Sequence, residues 1–108
     1  MTVNEAILEA RLLSPLTEID IDYAFSRIKE LENELFSAEI KSKNDVLSAP
    51  FEYCTIYPLY VKACFDASLG APEYEQSREL FEENCARMRR FLAKKAEYKP
   101  RKWRGGIR

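Results

Sequence analysis

The chain has no histidine, and that absence excludes a great deal of chemistry at once. It removes the commonest general base, the usual activator of a catalytic serine or cysteine, and the commonest metal ligand. Glycine is almost as scarce: only Gly70, Gly105 and Gly106 occur, so the first 98 residues offer few tight β-turns and no glycine-rich phosphate loop. The three cysteines, Cys54, Cys64 and Cys85, are odd in number and widely spaced. They predict reduced core residues, with neither a disulfide framework nor a zinc knuckle. No apolar run approaches the ~20 residues of a membrane span, and the start M-T-V-N-E-A-I-L-E-A has no basic segment leading into an apolar one. The expectation is a non-membrane protein that is not secreted, is not an enzyme, and uses no cofactor or metal.

What is present is a split of charge. Residues 1 to 86 hold 7 Lys+Arg against 17 Asp+Glu, whereas residues 87 to 108 hold 10 bases against the single acid Glu97. The whole-chain net of −1 conceals this dipolar arrangement. An acidic body with a basic end points to a partner gripped by that end, either a protein or a nucleic acid.

With 108 residues and 46% hydrophobic content, the chain has room for one small core. Four helices are expected. The first starts with a capping box between Thr2 and Glu5, carries Val3, Ile7 and Ala10 at helical spacing, and stops before Pro15. The second follows the T-E-I-D signal at 17–20. Ile21, Ala24, Ile28, Leu31 and Leu35 form its apolar stripe, widened by Phe25 and Phe36, and Glu30, Glu32 and Glu34 are assigned to its solvated face. Its end is expected near Lys41, ahead of an exposed connection over 41–45.

The third helix is expected to begin near Tyr57 or Pro58, since proline is tolerated in a first turn, with a longer helix from Phe51 kinked at Pro58 as the alternative. Leu59, Tyr60, Ala63, Cys64, Ala67 and Leu69 are expected to face the core, with Gly70 as the left-handed residue after the helix. The fourth helix is expected over about 72 to 97. Tyr74, Phe81, Cys85, Met88 and Leu92 form its stripe, and Leu80 and Phe91 lie beside it. Acids crowd its first half and bases its second, which complements the helix dipole and accounts for part of the charge split without any partner.

The dipole does not account for K-P-R-K-W-R-G-G-I-R at 99–108, where Pro100 and Gly105-Gly106 oppose helix and Trp103 stands among five basic residues. The division is therefore a domain at 1–98 and an extended arm at 99–108. The arm reads either as a solvated tail or as a binding strap anchored by Trp103. Its bases and Trp103 also suit phosphates and stacked bases, although an acidic body repels a polyanion everywhere else.

Three stretches carry a family resemblance: M-T-V-N-E-A-I at the start, the L-x-x-L/E-x-E-L pattern of the second helix, and the block from Tyr57 to Phe81. Read with Tyr60, Ala63, Asp66, Tyr74, Arg89 and Arg90, the chain resembles the small all-α head-to-tail connector proteins of tailed bacteriophages, also called head completion or adaptor proteins. Pro58 inside the aromatic helix and Ala71-Pro72 at the following turn depart from the family pattern. The resemblance implies an all-α four-helix bundle in a homo-oligomeric ring of about twelve copies closed through heterologous contacts. Such a ring sits in the virion at the head-tail interface, after assembly in the host cytoplasm. It docks beneath the portal protein, receives a stopper or tail completion protein, and lets DNA pass without sequence-specific binding. The residues matching the portal-directed segment are Lys99, Arg101, Lys102, Trp103, Arg104, Ile107 and Arg108. The rival expectation is a small nucleic-acid-associated regulator that uses the same basic arm.

Overall fold

The computed structural model describes residues 1–14 and 19–95. Among them the chain forms four α-helices: α1 (Val3–Leu13), α2 (Ile21–Phe36), α3 (Ile56–Leu69) and α4 (Tyr74–Lys95). A 3-10 turn, Phe51–Tyr53, precedes α3, and no strand occurs among the described residues. The all-α, four-helix expectation holds.

Local signals in the sequence explain several of the helix ends. At α1 the Thr2 hydroxyl accepts from the Glu5 N–H at 3.2 Å, while the Glu5 carboxylate accepts from the Thr2 N–H at 2.8 Å, closing the capping box. Asp20 caps α2 by accepting from the Tyr23 N–H at 3.0 Å. Gly70, at φ +63°, ends α3 in the left-handed region, where a residue with a Cβ is strained.

Two boundaries differ from expectation and a third, the start of α3, decides between two alternatives. α2 stops at Phe36 and not near Lys41, because Ser37 turns left-handed (φ 52°) and the chain then buries Ile40, Leu47 and Ala49 in the core. α3 begins at Ile56, so Pro58 falls in its first turn where no N–H is needed, and the stretch from Phe51 is a separate 3-10 turn instead of a kinked extension. α4 begins at Tyr74, two residues after Pro72, and its expected end near 97 lies outside the described residues.

α3 lies at the centre and packs on α1, α2 and α4. That position explains why its expected core face is only partly buried, with Ala63 inside as expected and Leu59 half-buried. The buried residues are Ile56, Tyr57, Pro58, Val61, Ala63 and Asp66, whereas Tyr60 and Cys64 are half-buried and Ala67 and Leu69 are exposed. A helix touched on several sides has no single apolar stripe to read. In α2 the stripe is nearer expectation, with Ala24, Ile28 and Leu31 buried, Leu35 half-buried and Ile21 exposed.

The segment from Ser37 to Thr55 folds back over the start of α1. Thr2 and Val46 form an antiparallel bridge, flanked by bonds from the Val3 N–H to Asp45 O (3.0 Å) and from the Leu47 N–H to Met1 O (2.9 Å). Asp45 holds the fold-back in shape by accepting from the backbone N–H groups of Lys41 (2.8 Å) and Ser42 (3.2 Å). Those bonds favour the ionised form and hold its carboxyl below the usual carboxylate range.

Candidate interaction surfaces and buried polar clusters

The seven arm residues named from the sequence, Lys99, Arg101, Lys102, Trp103, Arg104, Ile107 and Arg108, lie outside the described residues, as does the boundary at 98/99. The described residues show what the body offers a partner. Two concavities and two buried carboxylates stand out.

The first concavity is an apolar groove of about 460 Å³ between the end of α1, the start of α3 and the middle of α4. Its walls are Leu12 and Leu13 on one side and Leu80 on the other, over a floor of Pro58 and Leu59. Glu9 and Asn84 are its principal polar lining. Leu12, Leu13 and Leu80 are 67%, 42% and 48% exposed, so no described residue covers the walls. Leu8, one turn before Leu12 on α1, is also exposed and extends the apolar strip. Leu80, expected beside the buried stripe of α4, instead faces this groove.

The second concavity lies at the basic end of α4, where Tyr53, Phe91, Arg87, Arg90 and Lys94 line a wide notch. The Tyr53 and Phe91 rings pack at 5.2 Å, and Lys95 stands 5.1 Å over Phe91. Arg87 pairs with Glu83 at 3.0 Å. Among the described residues Arg90 and Lys94 have no carboxylate partner. This end of α4 is the described part of the basic region read from the sequence.

Glu32 corrects the sequence reading outright. Assigned to the solvated face of α2, its side chain is instead 2% exposed. The Tyr57 hydroxyl donates to Oε1 at 2.6 Å, the Ser48 N–H donates to Oε2 at 2.9 Å, and the Ser48 hydroxyl makes a further short contact to Oε2. Tyr57 Oη in turn accepts from the Ala49 N–H at 3.1 Å. A buried carboxylate is tolerable only when its oxygens find donors, and these satisfy both. Burial, followed by the bond to Glu32, pushes the Tyr57 hydroxyl well above its ordinary ionisation range.

Asp66 is the second buried carboxylate, at 6% exposure. Its Oδ2 accepts from Lys62 Nζ (2.8 Å) and from Ser77 Oγ (2.6 Å), tying α3 to α4. On the outer side of α3, Tyr60 donates to Glu30 at 2.7 Å and packs against Phe81 at 5.1 Å. Both carboxylate clusters are closed by partners from the fold, and neither Glu32 nor Asp66 lines either of the two concavities, which suits a structural role.

Cys54 and Cys85 are buried and Cys64 is half-buried, and no two are bonded. Burial raises all three thiols above their ordinary range, which makes them poor nucleophiles. Among the described residues no group of three or more acidic or cysteine side chains is placed to hold a metal ion, and no helix is long and apolar enough to cross a membrane. No family model, curated protein or solved structure matches the chain.

Proposed function

We propose that the protein is a structural assembly subunit of a phage head-to-tail connector: one member of a ring that docks under a portal, receives a stopper or tail completion protein, and lets DNA through. The observation that carries this reading is the groove walled by Leu12, Leu13 and Leu80 on an otherwise strongly charged body. Apolar walls left open on a small all-α protein favour contact with another protein surface. The polarity of α4 supports it as well. The acidic first half and basic end of that helix give the body two unlike faces, and unlike faces are what a head-to-tail, ring-closing contact needs. In this reading the arm at 99–108 straps each subunit to the portal through Trp103 and its basic neighbours.

The test mixes full-length protein and a chain ending at residue 98 with portal-bearing capsids, followed by sedimentation and electron microscopy. Full-length protein is expected to co-sediment and add a ring at the portal vertex, and the shortened chain to lose most of that binding. Absence of binding by the full-length protein overturns the connector reading. Equal binding by both chains overturns the role of the arm.

A second reading is favoured by the notch at the end of α4, where Arg90 and Lys94 flank Tyr53 and Phe91. Cations beside aromatic rings suit a nucleic-acid strand. Affinity for single-stranded DNA that falls steeply with salt, and is lost in an Arg90→Glu, Lys94→Glu variant, would support the regulator over the connector.

A further inference from the structure

The groove between α1, α3 and α4 has room for a bulky apolar side chain together with the residues beside it. Its volume of about 460 Å³ lies within the range of roughly 300–1,000 Å³ typical of pockets that enclose organic groups. Leu12 and Leu80 wall it, and Glu9 supplies its charged group. Glu5 continues the acidic edge one turn back along α1, while Glu83, one turn beyond Leu80 on α4, is already paired with Arg87 at 3.0 Å. The fitting occupant is therefore a bulky apolar residue flanked by bases.

We infer that the groove is the seat of the chain's own C-terminal segment, with Trp103 held between Leu12 and Leu80 and the neighbouring basic residues set against the acidic rim of Glu9. Three considerations single out this occupant. The first is charge complementarity, since Lys102 and Arg104 flank Trp103 directly and Arg101 and Lys99 precede it. The second is reach. Asn84, at the groove, lies eleven residues before Lys95, which is about 16 Å back along the axis of α4. Trp103 follows Lys95 by eight residues, and an extended chain of that length covers up to about 27 Å, enough to turn back to the groove. The third is effective concentration: a tethered segment faces its own groove at roughly millimolar levels, which a separate copy reaches only when crowded.

The inference concerns the free subunit and stands or falls apart from the connector reading. Joined to that reading, it has a regulatory consequence. One arm cannot occupy its own groove and a partner at the same time, so assembly releases the arm and uncovers the leucines in a single event.

Trp103 is the only tryptophan, so its fluorescence reports on the arm directly. In full-length protein at low concentration, its emission is expected at shorter wavelength than in urea and protected from acrylamide. Leu80→Glu and Leu12→Glu, each at an exposed position and each checked for helix content by circular dichroism, are expected to shift the emission to the red and restore quenching. Leu69→Glu, exposed outside the groove, is expected to leave it unchanged. Emission that matches the unfolded chain and ignores both groove variants overturns the inference. A blue shift that disappears on dilution, together with a dimer in sedimentation velocity, also overturns it and assigns the groove to the arm of a second copy. Failure to bind portal-bearing capsids would leave every one of these readouts in place.

Discussion

The hydroxyl of Tyr57 in α3 donates to the carboxylate of Glu32 in α2 at 2.6 Å, with both residues almost wholly out of water. The pair joins two helices and, through Ser48 and Ala49, the segment between them. Tyr57→Phe keeps the ring but leaves Glu32 short of one donor and the Ala49 N–H without its acceptor. The expected loss is about 2–3 kcal/mol, the range for a buried bond to a charged group. Urea unfolding should show a lower midpoint with an unchanged slope.

The same tyrosine predicts behaviour in alkali. Its hydroxyl ionises well above the ordinary tyrosine value in the folded chain, so the folded state favours the protonated form. The stability this contributes is complete below the unfolded value of about pH 10 and is lost as pH rises above it. Unfolding free energy should decline from about that pH upward, and less steeply in Tyr57→Phe, which ultraviolet titration of tyrosinate alongside circular dichroism would register.

Ser77→Ala tests the second cluster. The buried Asp66 carboxylate would keep Lys62 but lose its bond to α4. A cost of roughly 1–3 kcal/mol is expected for an under-satisfied buried carboxylate. Leu69→Ala, at an exposed position, should change stability by less than about 0.5 kcal/mol.

Gly70→Ala isolates a backbone effect. A Cβ at this position meets nothing within 4 Å, so steric contact is absent and only the left-handed φ of +63° penalises it. The expected cost is about 1–2 kcal/mol, with Gly70→Asn milder. Thermal unfolding of the three proteins would rank them.

Asp45→Ala removes the acceptor for the Lys41 and Ser42 N–H groups. Amide exchange at Val3 and Leu47, whose bonds tie the fold-back to the chain start, should quicken severalfold while that of the α3 core stays slow. Because the Asp45 carboxyl ionises below its ordinary range, its contribution is present above the unfolded value and fades as pH drops through the folded one.

How much of this could be read in advance depended on whether the cause was local. Thr2 with Glu5, Asp20, Pro58 and Gly70 act within a few residues of themselves, and the helices they begin or end appear close to where expected. The stripe Ala24, Ile28, Leu31 was legible because α2 buries one face. Glu32 sits on that face too, four residues after Ile28, but the donors that make its burial tolerable come from residues 48 and 57. Nothing near Glu32 announces them. α3, packed on several sides, could not be oriented by periodicity, and the groove was invisible because Leu12 and Leu80 meet only in three dimensions.

That last arrangement has a thermodynamic consequence. The walls of the groove belong to the first and fourth helices, so it exists only while both are docked on the third. Whatever fills it binds the native state and not the unfolded chain. Occupancy therefore raises the melting temperature of the whole domain, and where the occupant is the tethered arm that increment is the same at every protein concentration.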